Sequence, residues 1–106
     1  MFLEMANAEL ARLEMAIETA MDAAGIDADI ESQDGGILEL TFDNDSKIII
    51  NRHIAAREIW VAARSGGFHF RFEDGRWLGT RDGEELHSAL SRLIAQQSGV
   101  AVQLAS

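Results

Sequence analysis

The stretch Gly35–Arg52, GGILELTFDNDSKIIINR, holds two short alternating runs on either side of a polar turn. In ILELTF, Leu38, Leu40 and Phe42 fall on one face and Glu39 and Thr41 on the other, which is the period of a half-buried strand. DNDS is hairpin chemistry, because Asn and Asp tolerate the positive φ that tight turns require. KIIINR is then the returning strand, with Ile48 and Ile50 on the core face and Asn51 out of phase with them. An antiparallel hairpin in mid-chain sets the frame for both flanks.

Upstream, IDADIES reads as a short acidic strand or approach segment, and QDGG as a turn. Downstream, REIWVAAR sets Ile59, Val61 and Ala63 opposite Glu58, Trp60, Ala62 and Arg64. SGG turns the chain into FHFRFE, where three phenylalanines oppose His69 and Arg71, and RWLG is a brief last strand with Trp77 inward. Turns of a few residues leave no room for parallel crossovers, so neighbouring strands are mostly antiparallel.

Helices are predicted at both ends. Ala6, Leu10, Leu13, Ile17, Met21 and Ala24 recur at steps of three and four, and Gly25 terminates that first helix. The second is predicted to start near Asp82, where Asp82 and Glu85 have the spacing of a capping box. Leu86, Leu90, Leu93 and Ile94 form its stripe, Gly99 ends it, and the period-two tail VAVQLAS is expected to dock on the body. Two helices cover only one face of a sheet. The expectation is an α+β two-layer α/β sandwich, a single domain over residues 1–106. Two helices pack on one face of a mostly antiparallel sheet of about six strands, and the other face meets water.

The absence of cysteine excludes disulfides, thiolate metal sites and a cysteine nucleophile. No apolar run approaches the roughly 20 residues of a membrane span, and the acidic N-terminus lacks the basic start of a signal peptide. A cytoplasmic protein is expected. The net charge of −9 is unevenly spread: residues 1–50 hold twelve acids against two bases, and residues 51–106 six acids against seven arginines. Nucleic acid is an unsuitable partner for such an acidic half, which fits a cation or a basic protein surface better. Acidic surfaces also serve solubility alone.

Two constellations stand out. Glu14, Glu18 and Asp22 form a column on the exposed side of the first helix, and Asp27, Asp29 and Glu31 follow it. Clustered carboxylates suit hard cations, iron, Ca²⁺, Mg²⁺ and Mn²⁺ among them, but no EF-hand spacing closes a ligand set. Weak, solvated binding is the expectation. The second constellation is the open sheet face, where Asn51, Trp60, Arg64, His69, Arg71 and Arg76 fall out of phase with the core. A tryptophan there suits a protein-binding surface, and the alternative is an indole half-covered by Arg64 and Arg71. His53, His69 and His87 lie in three different elements without ligand spacing, and His87 is expected at the surface. No nucleophile motif, phosphate-cradling loop or buried acid–base pair is visible, so an enzyme is not expected.

Taken together, GGILELTFDNDSKIIINR, EIWVAA, GGFHFRFEDGRW and DGEELHSAL resemble the frataxin family in order and spacing over about residues 15–99. The resemblance implies the same helix–sheet–helix sandwich and a role in iron–sulfur cluster biogenesis. It also implies weak surface binding of Fe²⁺ or Fe³⁺ through an acidic ridge, and docking on the cysteine desulfurase as an iron-responsive regulator rather than a catalyst. On this chain Glu18 and Asp22 would belong to the ridge, with Asp27, Asp29 and Glu31 continuing it. Asn51 and Trp60 match the family's exposed sheet residues and would meet a scaffold or partner chain. Thr19, Ala23 and Gly25 stand where relatives carry further acids, so the ridge is thinned. His53 and Ala55 stand where a Gln and a Pro are usual, so either His53 keeps a hydrogen-bonding role on the open face or the local turn differs. A monomer is expected, with iron-dependent oligomers allowed. The rival reading is a small acidic secretion-type chaperone, a dimer that binds partner proteins without metal.

Overall fold

Each strand pairs with its neighbour in sequence, so the sheet order follows the chain. The computed structural model describes residues 1–104. Helix α1 (Phe2–Ala24) is followed by β1 (Ala28–Gln33), β2 (Ile37–Phe42), β3 (Lys47–His53), β4 (Glu58–Ala63), β5 (Gly66–Glu73) and β6 (Arg76–Gly79), and then by α2 (Leu86–Ser98). The six strands form one sheet in the order β1-β2-β3-β4-β5-β6, antiparallel throughout. The β2–β3 hairpin pairs Leu38 with Ile50 and Leu40 with Ile48.

The period-two positions Leu38, Leu40, Phe42, Ile48, Ile50, Ile59, Val61 and Phe70 are buried against the apolar stripes of both helices. Each fully buried aliphatic side chain contributes roughly 1.5–3 kcal/mol, which is what holds the helices to one face. Trp77 faces inward as expected and is 3% exposed, edge-on to Phe2 and Phe72. The tail docks through Leu104, whose N–H donates to Ser91 Oγ, while Val100 stays exposed. Ala105 and Ser106, the last letters of that predicted tail, lie outside the described residues.

Helix α1 ends as predicted: Gly25 adopts the left-handed conformation (φ 70°), and the N–H of Ile26 returns to the carbonyl of Met21. Helix α2 starts later than predicted, at Leu86, with Glu85 as its N-cap accepting from the N–H groups of His87 and Ser88. Asp82 instead caps a turn through the N–H of Glu84. Gly83 has φ 74°, and Gly79 bonds to both Glu84 and Gly83, so residues 80–85 are held out of the helix.

Candidate functional site

Gly25 reverses the chain so that β1 runs back along α1, and β1 is an edge of the sheet. Acids therefore flank this edge from two sides. On the helix, Glu18 and Asp22 are exposed, and half-buried Glu14 lines a groove with Ser32, Gln33 and Asp34 of the β1–β2 turn. On β1, Ala28 and Ile30 pack toward the core, so Asp29 and Glu31 point to the open face, opposite Thr41 and Glu39. Asp27 is exposed in the link between them. Glu39 is partly neutralised by Lys47 at 3.4 Å. Among the described residues, no three His, Cys, Asp or Glu side chains converge as a closed metal site. The donor set is hard oxygen in a solvated, open array, which suits weak association of a hard cation rather than caged coordination.

The open face is more ordered than the sequence indicates. Antiparallel register aligns Asn51, Trp60 and His69 across β3, β4 and β5. His53 stacks on Trp60 with centroids 3.8 Å apart and His69 stacks on it at 4.4 Å, tilted by 13° and 10°. The alternative, covering by Arg64 and Arg71, is not what is found: imidazoles flank the indole, because neighbouring strands bring those rings to its two faces. Arg71 instead binds Glu58 Oε2 at 2.6 Å, and Arg64 lies in the β4–β5 turn, where its backbone N–H donates to Gln97. Asn51 Oδ1 is buried with no hydrogen-bond partner among the described residues.

Glu58, 6% exposed, organises this face and was missed as a site residue. Its Oε1 accepts from Trp60 Nε1 at 2.8 Å and lies 3.6 Å from His69 Nδ1. The indole hydrogen bond, followed by the Arg71 guanidinium, holds its carboxyl below the usual carboxylate range against the opposing effect of burial. The only sequence signal was Glu58 sharing a strand face with Trp60.

His87 is buried, not at the surface. Its Nε2 lies 2.6 Å from Glu9 Oε2, and Arg12 binds the other oxygen of Glu9 at 2.7 Å. Burial pushes the Glu9 carboxyl up, but the bonds from His87 and Arg12, with their charges, more than reverse this and leave it lowered. This pair ties α1 to the start of α2. No described helix is long and apolar enough to cross a membrane.

The family model described as "Frataxin-like domain" matches residues 1–100. The protein named "Iron-sulfur cluster assembly protein CyaY" from Ralstonia nicotianae is 57% identical over 104 residues, covering 97% of this chain and 90% of that relative. Its namesake from Ralstonia pickettii is 58% identical over 107 residues, covering 99% and 92%. Among solved structures, the frataxin of Psychromonas ingrahamii is 34% identical with a TM-score of 0.77, covering 94% of this chain and 95% of that one. A trimeric frataxin from Saccharomyces cerevisiae, in a ferrous complex, is 25% identical with a TM-score of 0.75, covering 89% and 85%.

Proposed function

The chain belongs to the frataxin family, and we propose that it works in iron–sulfur cluster assembly as a non-catalytic, iron-responsive regulator in the cytoplasm. The observation that carries this reading is the set of carboxylates flanking the β1 edge: Glu14, Glu18 and Asp22 from α1, with Asp27, Asp29 and Glu31 beside them. That edge docks on a basic surface of the cysteine desulfurase. Iron, as Fe²⁺ or Fe³⁺, binds weakly to the same oxygens, and other divalent cations compete for them. Bound iron removes part of the negative field and so adjusts the docking. The open face around Asn51 and Trp60 meets the scaffold protein. The ferrous complex of the yeast neighbour supports the iron assignment. Its trimeric state is consistent with oligomers of a chain otherwise expected as a monomer.

The test is a desulfurase activity assay with and without this protein, repeated with Glu18→Lys and Asp22→Lys. The wild-type chain is expected to slow the desulfurase, and charge reversal to relieve the slowing. Equal slowing by wild type and both variants contradicts the reading.

A further inference from the structure

His53 comes from β3 and His69 from β5, so they cover opposite faces of the Trp60 indole, which β4 places between them. With both π faces filled, a partner's ring, a nucleobase or a guanidinium has no indole face to stack on. What remains is the rim of the stack, where aromatic C–H edges carry partial positive charge. His53 Nδ1 accepts the N–H of Ala56 at 3.2 Å, so the neutral ring carries its proton on Nε2 as a further donor. Exposed Arg71 shares this face, and exposed Arg57 and Arg64 stand in the turns bracketing β4. Of the acids on this face, Glu58 is buried and engaged by Trp60 and Arg71, Glu39 on β2 is paired with Lys47, Asp29 and Glu31 stand on the far edge strand β1, and Glu73 and Asp74 lie at the far β5–β6 turn.

We propose that the open face takes an acidic, extended segment of a partner protein across the rim of the His53–Trp60–His69 stack, and that Glu58 is the positioning residue that holds the stack. This rests on reading the open face as a docking surface and adds the chemistry of what docks there. Donors and cations at a rim select carboxylates and backbone carbonyls. The carboxylate of Glu58 fixes the indole through Nε1 and keeps Arg71 on the same face. Its negative charge by itself repels an acidic ligand, so position and field make opposite predictions for its removal.

The experiment titrates the ¹⁵N-labelled full chain at low salt with a peptide of ten glutamates, using a peptide of ten lysines as control. The Glu peptide is expected to shift the Trp60 indole N–H and the amides of His53 and His69, and the Lys peptide those of Glu18, Asp22 and Asp29. Glu58→Ala is expected to weaken the Glu peptide about three- to tenfold, the worth of one hydrogen bond. Glu58→Gln, which keeps an acceptor and drops the charge, is expected to bind it at least as tightly as wild type. Trp60→Phe keeps a ring in the stack without the bond to Glu58 and serves if Glu58→Ala does not fold; it should weaken binding equally. An unmoved stack, tighter binding by Glu58→Ala, or unchanged binding by Trp60→Phe overturns the proposal. If the Glu peptide fails while Glu18→Lys still relieves the desulfurase, this inference falls and the functional reading stands.

Discussion

Glu9 and His87 lie 78 positions apart and meet at 2.6 Å with both side chains buried. Removing one partner of a buried pair leaves the other poorly compensated, so Glu9→Ala is expected to cost about 3 kcal/mol in urea unfolding, and Glu9→Gln less. A change under about 0.5 kcal/mol for Glu9→Ala contradicts the pairing, since that is the scale of ordinary surface substitutions. The carboxyls of Glu9 and Glu58 are both lowered by folding. The stability they supply is therefore complete above the unfolded carboxylate pKa of about 4.3, and is lost as pH falls through their lower folded values. Acid unfolding below about pH 4 should shift upward in Glu9→Ala, and an unshifted profile contradicts the assignment. None of this was legible in the sequence. A buried Glu9 reads as one more acid on a helix, and His87 as one more surface imidazole, until the partner's position is known. The stacking of His53 and His69 on Trp60 is hidden for the same reason, because it depends on the register of three strands.

Among the elements, hydrophobic periodicity made nearly everything legible, since each helix or strand buries one face and repeats accordingly. The hairpin Ile37–His53 and the stripe of α1 needed only local spacing. The start of α2 was misplaced because Asp82 and Glu85 satisfy a cap pattern locally, while Gly83 and the Leu78–Glu85 bridge hold that stretch to the sheet. Glu85→Ala is accordingly expected to cost about 1 kcal/mol by urea unfolding, with a smaller effect for Asp82→Ala. The reverse order would restore the earlier start. The β1–β2 turn gives a second contrast. Gly35 and Gly36 both have positive φ, but only at Gly36 would a Cβ meet a neighbour, the Arg52 side chain at 2.6 Å. That stem is held by its bond to Asn7. Gly36→Ala should therefore destabilise by about 2 kcal/mol and Gly35→Ala by about 1 kcal/mol. Equal costs would mean that Arg52 moves freely.

Because sheet order follows chain order, the uneven charge of the sequence becomes uneven charge in space. The acidic first half forms α1, β1, β2 and most of β3, and five of the seven arginines of the second half follow on β4–β6 and their turns, with Arg52 on β3 and Arg92 on α2. The position of the acids was thus legible once the antiparallel meander was, whereas the lack of a closed ligand set required the fold. Exposed charges are screened over ~8 Å at physiological ionic strength, so association through this edge should weaken steeply with added salt. Salt-independent binding to the desulfurase would contradict electrostatic docking. The most direct test adds Fe²⁺ without oxygen to the ¹⁵N-labelled chain and follows each amide by NMR. Broadening is expected to be confined to Glu14, Glu18, Asp22, Asp27, Asp29, Glu31 and their neighbours. Uniform broadening, or broadening centred on His53 and His69, would contradict that expectation.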